Sequence, residues 1–179
     1  ATTYIYFESS QSSSPANSQL ITPCIDMSSL TGCAALEFYY HKYGGTMGNM
    51  RVDIDTSRGT NTNQWYNGFH IIQGQTHSSP TDPWSKAFVD LSEFVGDIIR
   101  IRIVGTRIGA NGDMAIDDMR IFEPDPGEME MVDFSAPQHG FCSYSRTEDV
   151  VIEAKNAGCQ TINALPIAFE FNGTTFRAT

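Results

Sequence analysis

Three aspartates, Asp113, Asp117 and Asp118, form the densest group of carboxylates in the chain. Hard oxygen ligands gathered at a strand edge are what Ca²⁺ requires, at about 2.3 to 2.6 Å with carbonyls or waters completing the shell. Glu8, which follows the first predicted strand, is a weaker candidate. Regular alternation puts Asp117 and Asp118 on opposite faces, so at most one of them points toward a given site. The alternative is that these aspartates cap backbone amides at the start of the strand.

A second pair of acids lies at Asp53 and Asp55, two residues apart and so on one face of a strand. The spacing resembles the acid pairs of sandwich-type glycosidases, but the flanking glutamates of such strands are absent, so we favour a solvated strand face over catalysis. His41 lies in an aromatic strand, where a ring nitrogen bonded to the backbone is the expected role. No Ser-His-Asp or Cys-His set can be assembled. The sequence therefore predicts that the chain is not an enzyme.

Exposed aromatic residues are the third group that could take part in ligand binding. Trp65, Tyr66 and Tyr43, together with Tyr39 and Trp84, offer flat apolar faces on which pyranose rings can stack. Packing in a core is the competing role, and it is favoured for Trp84, which begins a strand whose Ala87 and Val89 look buried. We name Trp65, Tyr66 and Tyr43 as the candidate binding residues.

The elements that would position these groups are strands. Runs of four to ten residues rich in β-branched and aromatic residues alternate with clusters of Ser, Gly, Asn, Pro and Thr. In the run 97–104, Ile99, Ile101 and Ile103 share one face, while Arg100 and Arg102 share the other. The predicted strands of the first domain are 3–7, 19–22, 34–43, 49–56, 65–73, 84–91, 97–104 and 114–122. The pattern predicts an all-β fold of two packed antiparallel sheets.

The cysteines and the net charge restrict the compartment and the partners that this chain can have. Cys24 with Cys33 and Cys142 with Cys159 are predicted as two local disulfides, although four cysteines allow three pairings. Disulfides indicate an oxidising compartment. A formal net charge of −10 with only 11 Lys and Arg argues against a nucleic-acid partner. No run approaches the roughly 20 apolar residues that span a bilayer, so membrane insertion is not expected.

A proline-rich and acidic segment, 124–128, predicts a linker between domains at 1–123 and 129–179. Beyond it the runs 129–136, 149–155 and 167–172 again predict strands. Asn172-Gly173 is a type I′ hairpin signal. Three strands and one further candidate are fewer than the seven of an immunoglobulin-like sandwich, so this domain is expected to be partial.

Five blocks of the first domain resemble the MAM domain of extracellular adhesion proteins and secreted proteases. They are YIYFESS (4–10), QLITP (19–23), LEFYYHKYG (36–44), WSKAFVDL (84–91) and GDMAIDDM (112–119). The resemblance implies an antiparallel jelly-roll sandwich with no catalytic activity of its own. It also implies a structural metal near the last block, partly liganded by an acid of an opening strand. That opening region is absent here, so we expect the sheet to lack strands unless another polypeptide supplies them.

The segment 141–162 resembles the small Ig-like modules of the CARDB type that follow adhesion domains in large surface proteins of Bacteroidetes. This resemblance implies a long exported parent protein, delivered by a type IX secretion route. Together the two resemblances predict a non-catalytic module, secreted or at the cell surface, that binds protein or glycan and spaces other domains. The alternatives are a carbohydrate-binding or carbohydrate-cleaving lectin-like sandwich and the accessory region of an exported protease. The remainder of the parent polypeptide is a further expected partner.

Overall fold

The computed structural model describes residues 3–9, 17–57, 64–125, 127–136 and 149–178. The chain divides into two compact units, Ala1–Glu123 and Pro124–Thr179. In the described ranges the regular structure is β-strand apart from one 3₁₀ turn at Ser92–Phe94, which confirms the all-β prediction. No helix among these residues is long and apolar enough to cross a bilayer.

The described residues of the first unit form nine strands. They are β1 (Ile5–Phe7), β2 (Asn17–Ile21), β3 (Ile25–Asp26), β4 (Ala35–Tyr43), β5 (Met47–Asp55), β6 (Trp65–Ile72), β7 (Ser85–Asp90), β8 (Ile98–Arg107) and β9 (Asp113–Phe122). The first sheet has the order β1-β9-β4-β7 and the second has the order β2-β8-β5-β6, with β3 also pairing β8. All these pairings are antiparallel. The chain passes repeatedly from one sheet to the other, as a sandwich of two sheets requires.

One apolar core lies between the two sheets of the first unit. Leu36 and Phe38 enter it from the first sheet, and Val52, Ile54 and Ile101 enter it from the second, all essentially without solvent exposure. The alternation predicted for β8 is confirmed, because Ile99, Ile101 and Ile103 are buried and the intervening arginines are not. Burial of one face of each sheet is the main favourable contribution to this fold.

A close approach of two glycines joins the end of β4 to the start of β9. Gly44 has a φ of 125°, and a Cβ built there would lie 2.2 Å from the Gly112 Cα. Only glycine tolerates both the backbone conformation and the contact. This contact fixes the position from which β9 runs back along β4.

The predicted disulfide between Cys24 and Cys33 is wrong. Cys24 is a free, exposed thiol, whereas Cys33 is fully buried and disulfide-bonded. The reason is topological: Cys24 precedes β3, which pairs in the second sheet, and Cys33 lies just before β4 of the first sheet. Cys159 is disulfide-bonded, and Cys142, its predicted partner, lies outside the described residues.

In the part of the second unit that the structure describes there are two antiparallel pairs, β10 (Met129–Ala136) with β11 (Val151–Asn156) and β12 (Ile167–Phe171) with β13 (Thr174–Ala178). Asn172 and Gly173 have φ values of 49° and 76°, which confirms the type I′ hairpin. Within 127–136 and 149–177 no side chain is buried. The Ig-like identity of this unit stays a prediction.

Candidate functional site

The outer face of the first sheet carries Tyr4, Tyr6, Tyr39, Tyr43 and Trp84, which we call the aromatic face. In antiparallel strands, residues directly opposite each other point to the same side of the sheet. The register pairs Tyr6 with Ala115 and Ala115 with His41, and it pairs Tyr39 with Asp117 and with Lys86. Alternation along each strand then adds Tyr4, Tyr43 and Trp84 to this face.

The aromatic face is accessible to solvent. Tyr4 and Tyr6 are 50% and 59% exposed, Tyr39 and Tyr43 are 37% and 38% exposed, and Trp84 is half-buried. The Tyr4 and Trp84 rings meet edge to face with centroids 5.4 Å apart, and the Tyr4 and Tyr6 rings are 6.3 Å apart. Rings in mutual contact hold one another in place, so this surface is ordered without being buried.

A β-bulge in β9 changes the expected directions of Asp117 and Asp118. The register shifts between Glu37 and Tyr39, so β9 has one more residue here than β4 does. Asp118 takes a φ of 47°, a left-handed conformation that aspartate tolerates better than most residues. Both aspartates therefore line the same groove, because the regular alternation on which the expectation of opposite faces rested is interrupted here.

That groove, which we call the acidic groove, has a volume of about 300 Å³ and is lined by Tyr4, Tyr39, Trp84, Asp117 and Asp118. The Asp117 Oδ1 accepts a hydrogen bond from the Asp118 backbone N–H at 2.9 Å. Among the described residues, no Lys or Arg forms a salt bridge with either aspartate. Two aromatic walls and two unneutralised carboxylates are a combination that suits an organic cation.

The four predicted calcium ligands are not gathered into one cluster. The Asp113 Oδ1 accepts the Ser9 backbone N–H at 3.0 Å, which places it beside Glu8, whereas Asp117 lies four residues further along β9, roughly 13 Å away at the usual rise per residue. Within the described ranges, no group of three or more acidic, histidine or cysteine side chains is arranged to hold a metal ion. Calcium binding therefore stays a prediction, and Asp113 performs the amide-capping role that was its alternative.

His77 attaches the loop that precedes β7 to strand β4. The His77 Nδ1 accepts the Lys42 backbone N–H at 3.0 Å, and the His77 and Thr76 backbone N–H groups both donate to the Lys42 carbonyl. Because an N–H can only donate, Nδ1 carries no proton, and Nε2 donates to the Ser85 Oγ at 3.2 Å. His77 is thus held as one neutral tautomer.

His41 stacks on His77 with ring centroids 4.0 Å apart. The His41 Nε2 is buried and has no hydrogen-bond partner in the part of the chain that the structure describes. Burial lowers the pKa of His41, and the neighbouring His77 lowers it further, while Asp82 and a backbone hydrogen bond with Ser79 act in the opposite direction. The environment of His41 therefore favours its neutral form.

Lys42 faces the core from β4 and has no solvent exposure. Its Nζ donates to the Ile72 carbonyl at 2.6 Å. Burial lowers the pKa of this ammonium to about 8. Sequence reasoning missed Lys42, yet its position in the alternating series Leu36, Phe38, Tyr40, Lys42 predicts an inward direction.

The outer face of the second sheet carries ion pairs, and the expectation of a solvated face at Asp53 and Asp55 is wrong. Both carboxylates are buried. The Asp53 Oδ2 accepts from the Arg102 guanidinium at 2.7 Å and from the Arg51 Nε at 3.2 Å. Asp55 pairs with Arg100. Burial raises the pKa of Asp55, but hydrogen bonds from Ser57 and the Arg100 guanidinium outweigh it, so the net pKa is below its usual value.

Trp65 lies over these ion pairs, with the Arg102 guanidinium 4.2 Å and the Arg100 guanidinium 5.4 Å from its ring. A groove of about 650 Å³ is lined by Gln64, Trp65, Tyr66, Asn67 and Arg102. Of the three predicted binding residues, Trp65 and Tyr66 therefore share one groove. Tyr43 lies in the other sheet, on the aromatic face.

Among the strands that the structure describes, β6, which carries Trp65, lies at the edge of the second sheet and has a bulge opposite Val52 and Ile54. Gly68 has a φ of 72° there, and its N–H donates to the Asp53 Oδ1 at 2.7 Å. The bulge thus turns a ladder amide toward a buried carboxylate.

These two faces belong to a module of the extracellular adhesion type. The family model of the MAM domain, meprin/A5/mu, matches residues 1–126, and the chain belongs to this family over that range. MAM domains are non-catalytic modules of extracellular proteins.

Proposed function

We propose that this chain is the adhesion module of a secreted or cell-surface protein and that it binds a protein partner through the aromatic face. The observation that carries the proposal is the collection of five aromatic side chains from one sheet on a solvent-exposed surface of a MAM domain. Tyrosine and tryptophan are enriched in protein interfaces and among the residues that contribute most to binding. Each brings a large apolar area at a low cost in side-chain entropy.

The test is binding of the immobilised chain to an array of extracellular protein domains, with Tyr6→Ala and Tyr43→Ala compared with the parent chain. We expect each substitution to weaken binding by about tenfold or more, as loss of a central aromatic contact does. Tyr66→Ala is the matched control, because Tyr66 is equally exposed but lies on the second sheet. If the Tyr6→Ala and Tyr43→Ala variants bound as tightly as the parent chain, the proposal would be contradicted.

A second candidate function is glycan binding at the Trp65 groove. The side-chain amides of Gln64 and Asn67 beside an indole ring are the polar and apolar groups that a sugar needs. Against it, Arg102 already occupies one face of that ring. A glycan array decides between the two: micromolar sugar binding lost on Trp65→Ala supports the glycan function, and a blank array removes it.

For the second unit we propose the spacer role of an Ig-like module within a longer surface protein. Its support is the resemblance of residues 141–162 to modules of that type. Backbone NMR assignment of the whole chain tests it, because an Ig-like module requires additional strand pairing around residues 137–148. Random-coil shifts throughout that segment would contradict the proposal.

Calcium binding is proposed with Asp113, Asp117, Asp118 and Glu8 as the candidate ligands, on the basis of their charge. Isothermal titration with CaCl₂ tests it, with Asp113→Asn as the variant. No heat of binding at millimolar Ca²⁺ would rule out a site of ordinary extracellular affinity.

A further inference from the structure

The two tryptophans of the chain have related surroundings, which differ in whether a guanidinium lies over the indole ring. On the second sheet, Trp65 has a guanidinium over its ring, and the same guanidinium pairs with a buried carboxylate, Asp53. On the first sheet, Trp84 has the acids Asp117 and Asp118 beside it in the acidic groove. The first sheet thus has the indole and the carboxylates of that arrangement, and the guanidinium of Arg120, which shares a neighbouring groove with Asp118, pairs with Glu37 instead.

The cations nearest to the acidic groove are paired with another residue. Arg120 Nη2 lies 2.9 Å from the Glu37 Oε1, and Lys86 Nζ lies 3.5 Å from the Glu37 Oε2. The Arg120 guanidinium also lies over the Phe122 ring at 4.4 Å. Glu37 therefore competes for both cations, and among the described residues neither of them forms a salt bridge with Asp117 or Asp118.

The walls of the groove suit a planar cation. The Tyr4 and Trp84 rings are inclined at 64° with centroids 5.4 Å apart, and Tyr39 completes the lining. A cation held against indole and phenol rings is stabilised by their quadrupoles, and a guanidinium can in addition stack flat and form two parallel hydrogen bonds with a carboxylate. The groove volume of about 300 Å³ is at the small end of the range for ligand sites, which fits a side chain better than a whole ligand.

We propose that the acidic groove binds an arginine side chain presented by the protein partner. The inference rests on the proposed function and names the chemistry of the partner at one place on the aromatic face. The bulge at Asp118 creates the site, because it brings a second aspartate to the side of the sheet on which Trp84 and Tyr4 lie.

The test is an NMR titration of the whole chain with N-acetyl-arginine-N-methylamide at low salt, in the presence of a chelator so that divalent cations do not compete. The two indole N–H resonances serve as reporters, with Trp65 as the internal control. We expect a saturable shift of the Trp84 resonance, and binding at least about tenfold weaker for the citrulline analogue, which keeps the shape of arginine and lacks its charge. A Trp84 resonance that does not move, or that moves equally with citrulline, would overturn the proposal.

Substitutions separate this site from general attraction to an acidic protein. Asp118→Asn should weaken arginine binding by about tenfold, whereas Glu93→Gln, which removes one exposed negative charge elsewhere, should leave it unchanged. Near-UV circular dichroism of each variant verifies that the fold is retained. Equal losses in both variants would overturn the proposal, because they would indicate a non-specific effect of net charge.

The inference and the proposed function can fail separately. Partner binding that is lost on Tyr6→Ala but is unaffected by Asp118→Asn would retain the adhesion surface and remove the arginine site. Saturable arginine binding without any effect of Tyr6→Ala or Tyr43→Ala on partner binding would retain the groove and remove the larger interface.

Discussion

Each sheet of the first unit carries a pair of aspartates on its outer face, and the two pairs have opposite surroundings. Asp53 and Asp55 lie directly opposite Arg102 and Arg100 on β8, so each carboxylate has a cation as its cross-strand neighbour. Asp117 lies opposite Tyr39, and no cation reaches it from the described residues. The first pair contributes to the fold, and the second is available to a ligand.

The difference shows that the neighbouring strand decides what a carboxylate does. Cross-strand pairs are the unit of side-chain interaction in a sheet, and the alternating arginines of β8 neutralise every acid that meets them in register. The role of a pair of acids in one strand therefore cannot be assigned until the register with the neighbouring strand is known. The predictions below test this contrast, beginning with the largest expected effect.

Asp53→Asn should destabilise the first unit by about 3 kcal/mol, because it leaves a poorly solvated Arg102 without its counter-ion. Asp117→Asn is the matched control and should change the free energy of unfolding by less than about 0.5 kcal/mol, as surface substitutions usually do. Urea denaturation at pH 7 measures both. Similar effects at the two positions would show that the two pairs of aspartates do not differ in their contribution to the free energy of unfolding.

Lys42→Met should stabilise the protein by about 2 kcal/mol at pH 7, because it removes a buried ammonium and keeps the apolar stem. The lowered pKa means that the unfolded chain binds more protons than the folded chain between about pH 8 and 10.5. The stability of the parent chain should therefore rise with pH over that window.

The Lys42→Met variant should lack this rise, since it has no ammonium to titrate. Urea titrations at pH 8 and pH 10 provide the measurement. A less stable Met variant would mean that the hydrogen bond to the Ile72 carbonyl outweighs the cost of burying the charge.

The smallest of the three effects is expected from His41. Its lowered pKa means that the unfolded state takes up a proton more readily, so stability should fall as the pH drops below about 6.5 toward the folded-state pKa. The titratable groups that act on this ring are His77 and Asp82. Asp82 has a pKa below its usual value, through hydrogen bonds from Ser78, and its contribution is lost only at lower pH.

His41→Phe should flatten the slope of stability against pH between pH 5 and 6.5. Thermal unfolding across that range measures the slope. A slope that persists unchanged in the Phe variant would assign the pH dependence to another group.

The strands and the hairpin at Asn172-Gly173 were accessible from the sequence, because alternation and turn chemistry are local properties. The free state of the Cys24 thiol could not be predicted in this way, since pairing depends on which sheet each flanking strand joins. The ion pairs of Asp53 and Asp55 also required the register of β5 against β8. The acidic groove depends on a bulge, and a single residue with positive φ at Asp118 has no signal in the composition around it.

The bulge at Gly68 has a consequence for how this module behaves at high concentration. An exposed edge strand normally offers a straight row of amides and carbonyls to which a strand of another molecule can add. At β6 the row is interrupted and locally twisted, with one amide bound to Asp53. Addition of a strand from a second copy at this edge is thereby disfavoured.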